Sequence, residues 1–162
     1  FYARKVFQIA DKLGDTRKIA ESQLNLASIM GILGMYKEAT DLLNKININR
    51  SPDLKAHYFT VNSAVYGYMS DYAASPQEKE KYVLLTKKYR DSSLNFYPIQ
   101  SRPYITAMSS KYINAGQYNE ALSLLVNYFP TITRRSPDRA VIAYIISQSY
   151  RGKKEVEQEK NG

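Results

Sequence analysis

Cysteine is absent from the 162 residues, which excludes disulfides, thiolate metal sites and cysteine nucleophiles. Tryptophan is absent too, and there is a single histidine, His57, beside Tyr58 and Phe59. A lone histidine in that company reads as a surface or packing residue rather than a metal ligand or a base. No phosphate-cradling glycine loop, nucleophile elbow or metal-ligand spacing occurs. Glu78 with Glu80 reads as a solvated helix start, and Glu155, Glu157 and Glu159 as a charged tail. We therefore expect no catalytic residue, no metal site and no cofactor. No segment approaches the ~18 consecutive apolar residues that suggest a membrane-spanning helix. Val141 to Ile146 is among the longest uninterrupted apolar runs. Glycine (7) and proline (6) are too scarce for a low-complexity chain. Period-two alternation of β-branched residues is also missing, so no strands are expected.

What the chain does contain is internal repetition. Gly34-Met35-Tyr36-Lys37-Glu38-Ala39 is followed by Leu42-Leu43, and Gly116-Gln117-Tyr118-Asn119-Glu120-Ala121 by Leu124-Leu125. Glycine, tyrosine, glutamate, alanine and both leucines recur in one register. Such self-similarity marks a repeat architecture. The glycine would end one helix in a left-handed conformation without a Cβ penalty. The tyrosine would fill the gap between hairpins, the small alanine would let two helix backbones approach, and the leucines would continue the apolar face.

These residues resemble the tetratricopeptide repeat (TPR), a helix, a Gly-x-Tyr turn and a second helix carrying alanine and a large residue. Gly34, Tyr36, Ala39 and Leu43 match that pattern, as do Gly116, Tyr118, Ala121 and Leu125. The early tryptophan of the family is replaced by Gln23 and Ile105, and its closing proline is displaced to Pro52 and Pro137. The resemblance implies an all-α, right-handed superhelical solenoid of antiparallel helix hairpins.

Gly34 and Gly116 are 82 residues apart, which suits two repeats of roughly 40 residues and so implies a divergent repeat between them. Ser75-Pro76-Gln77-Glu78 fits its central turn: Ser75 as cap, Pro76 in the first helical position and Glu78 closing a capping box. Tyr82, Leu85 and Tyr89 follow as an apolar stripe. Ser51-Pro52 and Ser136-Pro137 read the same way as Ser75-Pro76, and Gly14-Asp15 as a stop followed by a cap. The signals predict about eight helices, near 1–13, 16–33, 36–47, 52–74, 76–95, 103–115, 118–129 and 137–152. The first would be the second helix of a hairpin. Ala143, Ser147 and Tyr150 would lie on the first helix of a further repeat, whose partner the charged tail from Lys153 would start. Neither end resembles a polar-faced cap. The expectation is one solenoid domain over 1–162, cut from a longer protein and stacked on neighbouring repeats of its own chain.

The net charge of +8 raises nucleic acid as an alternative partner. The excess sits in separate short clusters: Lys87-Lys88-Tyr89-Arg90, Arg134-Arg135 with Arg139, and Arg151 with Lys153-Lys154. A nucleic-acid reader more often carries one continuous basic stripe, and helix-terminal placement accounts for Arg90 and Arg151. The fifteen tyrosines read chiefly as hairpin packing with the hydroxyl reaching a polar partner. Of those crowded on one predicted helix, Tyr68 is the groove candidate, because Tyr66 and Met69 already supply a packing stripe.

In the TPR family the concave groove is lined by the first helix of each hairpin. By register this implies groove positions at Asn25, Ser28, Ser110 and Asn114, with Tyr68, Asp71, Tyr144 and Gln148 from the less regular repeats. One subset of the family clamps a partner's C-terminal carboxylate with groove lysines. Here those places hold Leu24 and other uncharged residues, so that mode is not expected. Tyr89-Arg90-Asp91-Ser92-Ser93-Leu94, the long middle repeat and Ala143-Tyr144 through Tyr150-Arg151 resemble the repeat region of Bacteroidetes membrane-anchored transcriptional regulators. In that group a helical-repeat sensor precedes a membrane helix and a cytoplasmic output segment. The resemblance implies a non-enzymatic module that binds a protein or peptide, on the extracytoplasmic (periplasmic) side if the regulator likeness holds and in the cytoplasm otherwise. The alternative is a basic, nucleic-acid-associated helical module.

Overall fold

A computed structural model describes Lys5, Gln8, Ile9 and residues 14–161. The helix expected over 1–13 therefore lies for the most part outside the described residues. Among those described there are seven α-helices and no strand. They are α1 (Thr16–Ile32), α2 (Tyr36–Lys45), α3 (Lys55–Asp71), α4 (Pro76–Leu94), α5 (Arg102–Asn114), α6 (Tyr118–Tyr128) and α7 (Pro137–Asn161). Short 3-10 turns occupy Ile48–Arg50, Pro52–Leu54 and Phe129–Thr131. The fold is the all-α helical-repeat class that the repeated glycine turns imply.

The two turns are built alike. Gly34 has φ +78° and Gly116 φ +72°, conformations that side-chain-bearing residues rarely adopt. Around the first, Met35 N–H donates to the Met30 carbonyl (2.9 Å) and Gly34 N–H to the Gly31 carbonyl (3.2 Å). Around the second, Gln117 N–H donates to Tyr112 (2.9 Å) and Gly116 N–H to Ile113 (3.0 Å). Both are Schellman closures that satisfy the last carbonyls of a helix. Helix starts follow the expected caps at Asp15, whose carboxylate accepts from Lys18 N–H (3.0 Å), and Ser75, whose hydroxyl accepts from Glu78 N–H (3.2 Å). Ser136 accepts from Asp138 N–H (3.2 Å).

Ser51 does not cap a helix. Pro52 opens a 3-10 turn instead, α3 begins only at Lys55, and the Ser51 hydroxyl is buried without a hydrogen-bond partner. The charged tail also departs from expectation: α7 runs unbroken from Pro137 to Asn161. Gly152 does not break it, because its φ stays negative and it packs under the Tyr118 ring.

The chain divides into two compact units, the first ending at Phe96 and the second starting at Tyr97. In the first, Leu24, Ala27, Ala39, Leu43 and Val65 are fully or almost fully buried, with Met30, Leu42, Tyr58 and Met69 packed around them. Ala39 has no exposed surface, as expected of a residue where helices cross closely. Aromatic rings cluster where α3 meets α4 and the residues that follow it. Tyr66 stacks on Tyr89 (ring centroids 5.6 Å, 3° between planes) and on Tyr82 (6.3 Å), while Phe59 meets Tyr89 (6.3 Å) and Phe96 (5.6 Å). Burial pushes the Tyr58 and Tyr66 phenols above their usual range. In the second unit Ile105, Leu125, Ile132 and Ile142 form the core, and Ala121 is again fully buried. The buried face of α7 carries Ile142 and Ser149, whereas Ala143, Ser147 and Tyr150 are exposed.

Candidate functional site

In the first unit α1 and α3 lie side by side, and Gly31 sets their separation. A Cβ there would sit 2.9 Å from Val65 Cγ2 and 3.6 Å from Tyr68 Cδ2. Only a residue without a side chain lets the two helices come this near. The approach seats the Tyr68 ring over the last turn of α1, one turn beyond Ser28. Asn25, Tyr68 and Asp71 are exposed and Ser28 is half-buried. Leu24, at the place of a clamp lysine, has no exposed surface and belongs to the core.

In the second unit α5, α6 and α7 pack on one another. Asn114 and Tyr144 are exposed, and Ser110 and Gln148 are half-buried. An Arg102–Asp138 ion pair (3.1 Å) ties the start of α5 to the start of α7. The candidate groove residues thus fall into two sets. Asn25, Ser28, Tyr68 and Asp71 are on α1 and α3, while Ser110, Asn114, Tyr144 and Gln148 are on α5 and α7. Each set is carried by helices whose opposite faces form that unit's core.

A feature absent from the register argument surrounds the first glycine turn. Tyr36 and Tyr72 stack with ring centroids 6.3 Å apart and 28° between planes. Partial burial pushes the Tyr36 phenol above its usual range, and nearby Tyr72, Asp71 and Tyr68 push it further. Ile32, Leu33 and Met35, in the turn itself, are exposed. The signal was present in the repeat alignment. The equivalent residues of the second turn are Asn114, Ala115 and Gln117, so one turn is strongly apolar and the other is not.

The basic clusters are partly consumed by structure. Arg90 is buried and reaches Asp91 at 3.2 Å. Arg139 donates to the Ile132 carbonyl (2.9 Å) and lies 4.1 Å from the centroid of the Phe129 ring. These two arginines are engaged within the fold, leaving Lys87, Lys88, Arg134 and Arg135 as the exposed members of those clusters. His57 is half-buried. Burial pulls its pKa below the usual value, and Glu21 opposes that in part. Hollows open to solvent include one of about 270 Å³ between the start of α6 and Lys153 and Val156, and one of about 420 Å³ along Gln77, Glu80, Lys81, Leu84 and Leu85. Neither includes a candidate groove residue. Among the described residues no His, Cys, Asp or Glu cluster suits a metal ion, and no helix is long and apolar enough to cross a membrane.

A family model described as the SusR N-terminal TPR domain matches residues 1–161. No curated protein and no solved structure matches the chain.

Proposed function

The chain belongs to the SusR N-terminal TPR domain family, and we propose that it is a non-enzymatic module that binds a protein or peptide and serves as the sensing part of a transcriptional regulator. The observation that carries the reading is the placement of Asn25, Tyr68, Asp71, Asn114 and Tyr144, which stay exposed on helices whose other faces are core. Polar and amphipathic side chains so placed offer hydrogen bonds and aromatic anchors to an extended ligand. The structural use of Arg90 and Arg139 weakens the alternative of a nucleic-acid partner, since it engages one guanidinium from each of two of the three basic clusters within the fold.

Selection from a random displayed-peptide library tests this. Peptides recovered on the chain should lose about tenfold in affinity when Tyr68→Ala or Asn114→Ala is introduced, a typical loss for an aromatic or hydrogen-bonding anchor. Asn114 is exposed, so Asn114→Ala should leave the melting temperature unchanged; Tyr68 also packs on Gly31, so the affinity of Tyr68→Ala is read at a temperature where the variant is fully folded. Binders indifferent to substitution at all the candidate positions, or a library that yields none, would refute the proposal.

A further inference from the structure

We propose that the rim formed by Tyr36, Tyr68, Tyr72 and Asp71 receives a cationic side chain, arginine or lysine, from an extended peptide. The inference rests on the peptide-binding reading and names the chemistry of one part of that surface. Three observations carry it. First, Tyr72 leaves 77% of its surface in solvent and Tyr68 leaves 36%. Their rings are nonetheless held in place, Tyr72 by stacking on Tyr36 at 6.3 Å and Tyr68 by its seat against Gly31. A ligand therefore meets preset aromatic faces and pays little to order them.

Second, the charge at the rim is negative. Asp71 is exposed at the end of α3, and its electrostatic influence reaches the Tyr36 phenol. The nearest charged neighbours on α2, Lys37 and Glu38, are exposed and opposite in sign. The faces of the tyrosine rings are themselves electron-rich. An anion would be repelled by rings and carboxylate together, while a guanidinium or ammonium group is attracted by both. This is a local site of reversed sign on a chain whose net charge is +8.

Third, the turn beside the rim is apolar. Ile32 and Leu33 leave 67% and 68% of their surface exposed, and Met35 leaves 40%. A free small cation would have no use for that surface. A peptide would, by laying the apolar residues flanking its cationic side chain against it.

Fluorescein-labelled nonapeptides of alanine, leucine and tyrosine, identical except for a central arginine, glutamine or glutamate, provide the test by fluorescence anisotropy. Affinity should fall in that order, with arginine about tenfold ahead of glutamine for one cation–π contact plus one exposed ion pair. Asp71→Asn and Tyr72→Ala should each cost the arginine peptide about threefold more than they cost the glutamine peptide, with both variants assayed well below their melting temperatures. Equal binding of the arginine and glutamine peptides would overturn the cationic assignment and leave the peptide-binding reading standing. An arginine preference that survives Asp71→Asn and Tyr72→Ala would also overturn it, because the preference would then arise elsewhere. If none of the three bind while library-selected peptides do, the rim assignment alone fails; if neither kind binds, both readings fail.

Discussion

Gly31 separates two effects of opposite sign and so tests the packing argument closely. It lies near the C-terminal end of α1, where replacing glycine by alanine normally stabilises a helix by about 0.5–1 kcal/mol through lower unfolded-state entropy. Here the new Cβ would stand 2.9 Å from Val65 Cγ2, well inside the ~3.5–4.0 Å of an ordinary carbon contact. Val65 cannot yield easily. It is fully buried, and a β-branched residue in a helix has one strongly preferred rotamer. The helices must therefore move apart, at an overpacking cost of about 1–3 kcal/mol. Gly31→Ala should be net destabilising by roughly 1 kcal/mol once the propensity gain is subtracted. Val65→Ala removes the obstructing methyl. It should itself cost ~2 kcal/mol, but in its background Gly31→Ala should change sign and stabilise. Urea unfolding of the four proteins, extrapolated to water, gives the double-mutant cycle. The expected coupling is about 1–2 kcal/mol. A Gly31→Ala change that stabilises equally in both backgrounds would refute the claim that this glycine sets the α1–α3 distance.

Ala121 is fully buried in the second unit, so Ala121→Leu should destabilise by ~1–3 kcal/mol through overpacking; an unchanged melting temperature would show that the helices do not cross closely there. His57 gives a pH signature. Burial lowers its folded-state pKa below the ordinary 6.5, so the unfolded chain binds the proton more tightly. Its contribution to stability is present above pH 6.5 and is lost as pH falls from there through the folded value. Replacement by glutamine should flatten that part of the stability–pH curve, and an unaltered slope would argue against burial as the cause.

The parts of the fold legible in the sequence are those decided within a few residues. A left-handed glycine closes hydrogen bonds three and five residues back, and a capping serine or aspartate accepts from an amide two or three residues ahead. Gly34, Gly116, Asp15, Ser75 and Ser136 could therefore be read directly. Ser51 could not, because it has the same local pattern as Ser75. What differs is that Ser51 is buried, and Pro52 leads into a 3-10 turn ahead of α3.

The candidate surface divides along the same line. The repeat register identified the alanines that become core, because a periodic pattern carries that information in one dimension. It did not identify the Tyr36–Tyr72 stack, which joins the start of α2 to the residue that ends α3, 36 positions away. Nor did it orient α7, apolar enough on several sides for Ala143, Ser147 and Tyr150 to look as suitable for packing as Ile142 and Ser149. Arg90 and Arg139 looked like surface charge until the fold buried the first and turned the second back onto the Ile132 carbonyl and the Phe129 ring. The sequence by itself determined the all-α class, the repeated glycine turns and most of the helix caps, because these depend on hydrogen bonds within a few residues. Tertiary structure alone decided which face of each helix is covered, because that depends on which neighbour offers a complementary surface, and that neighbour is set by contacts distant in the chain.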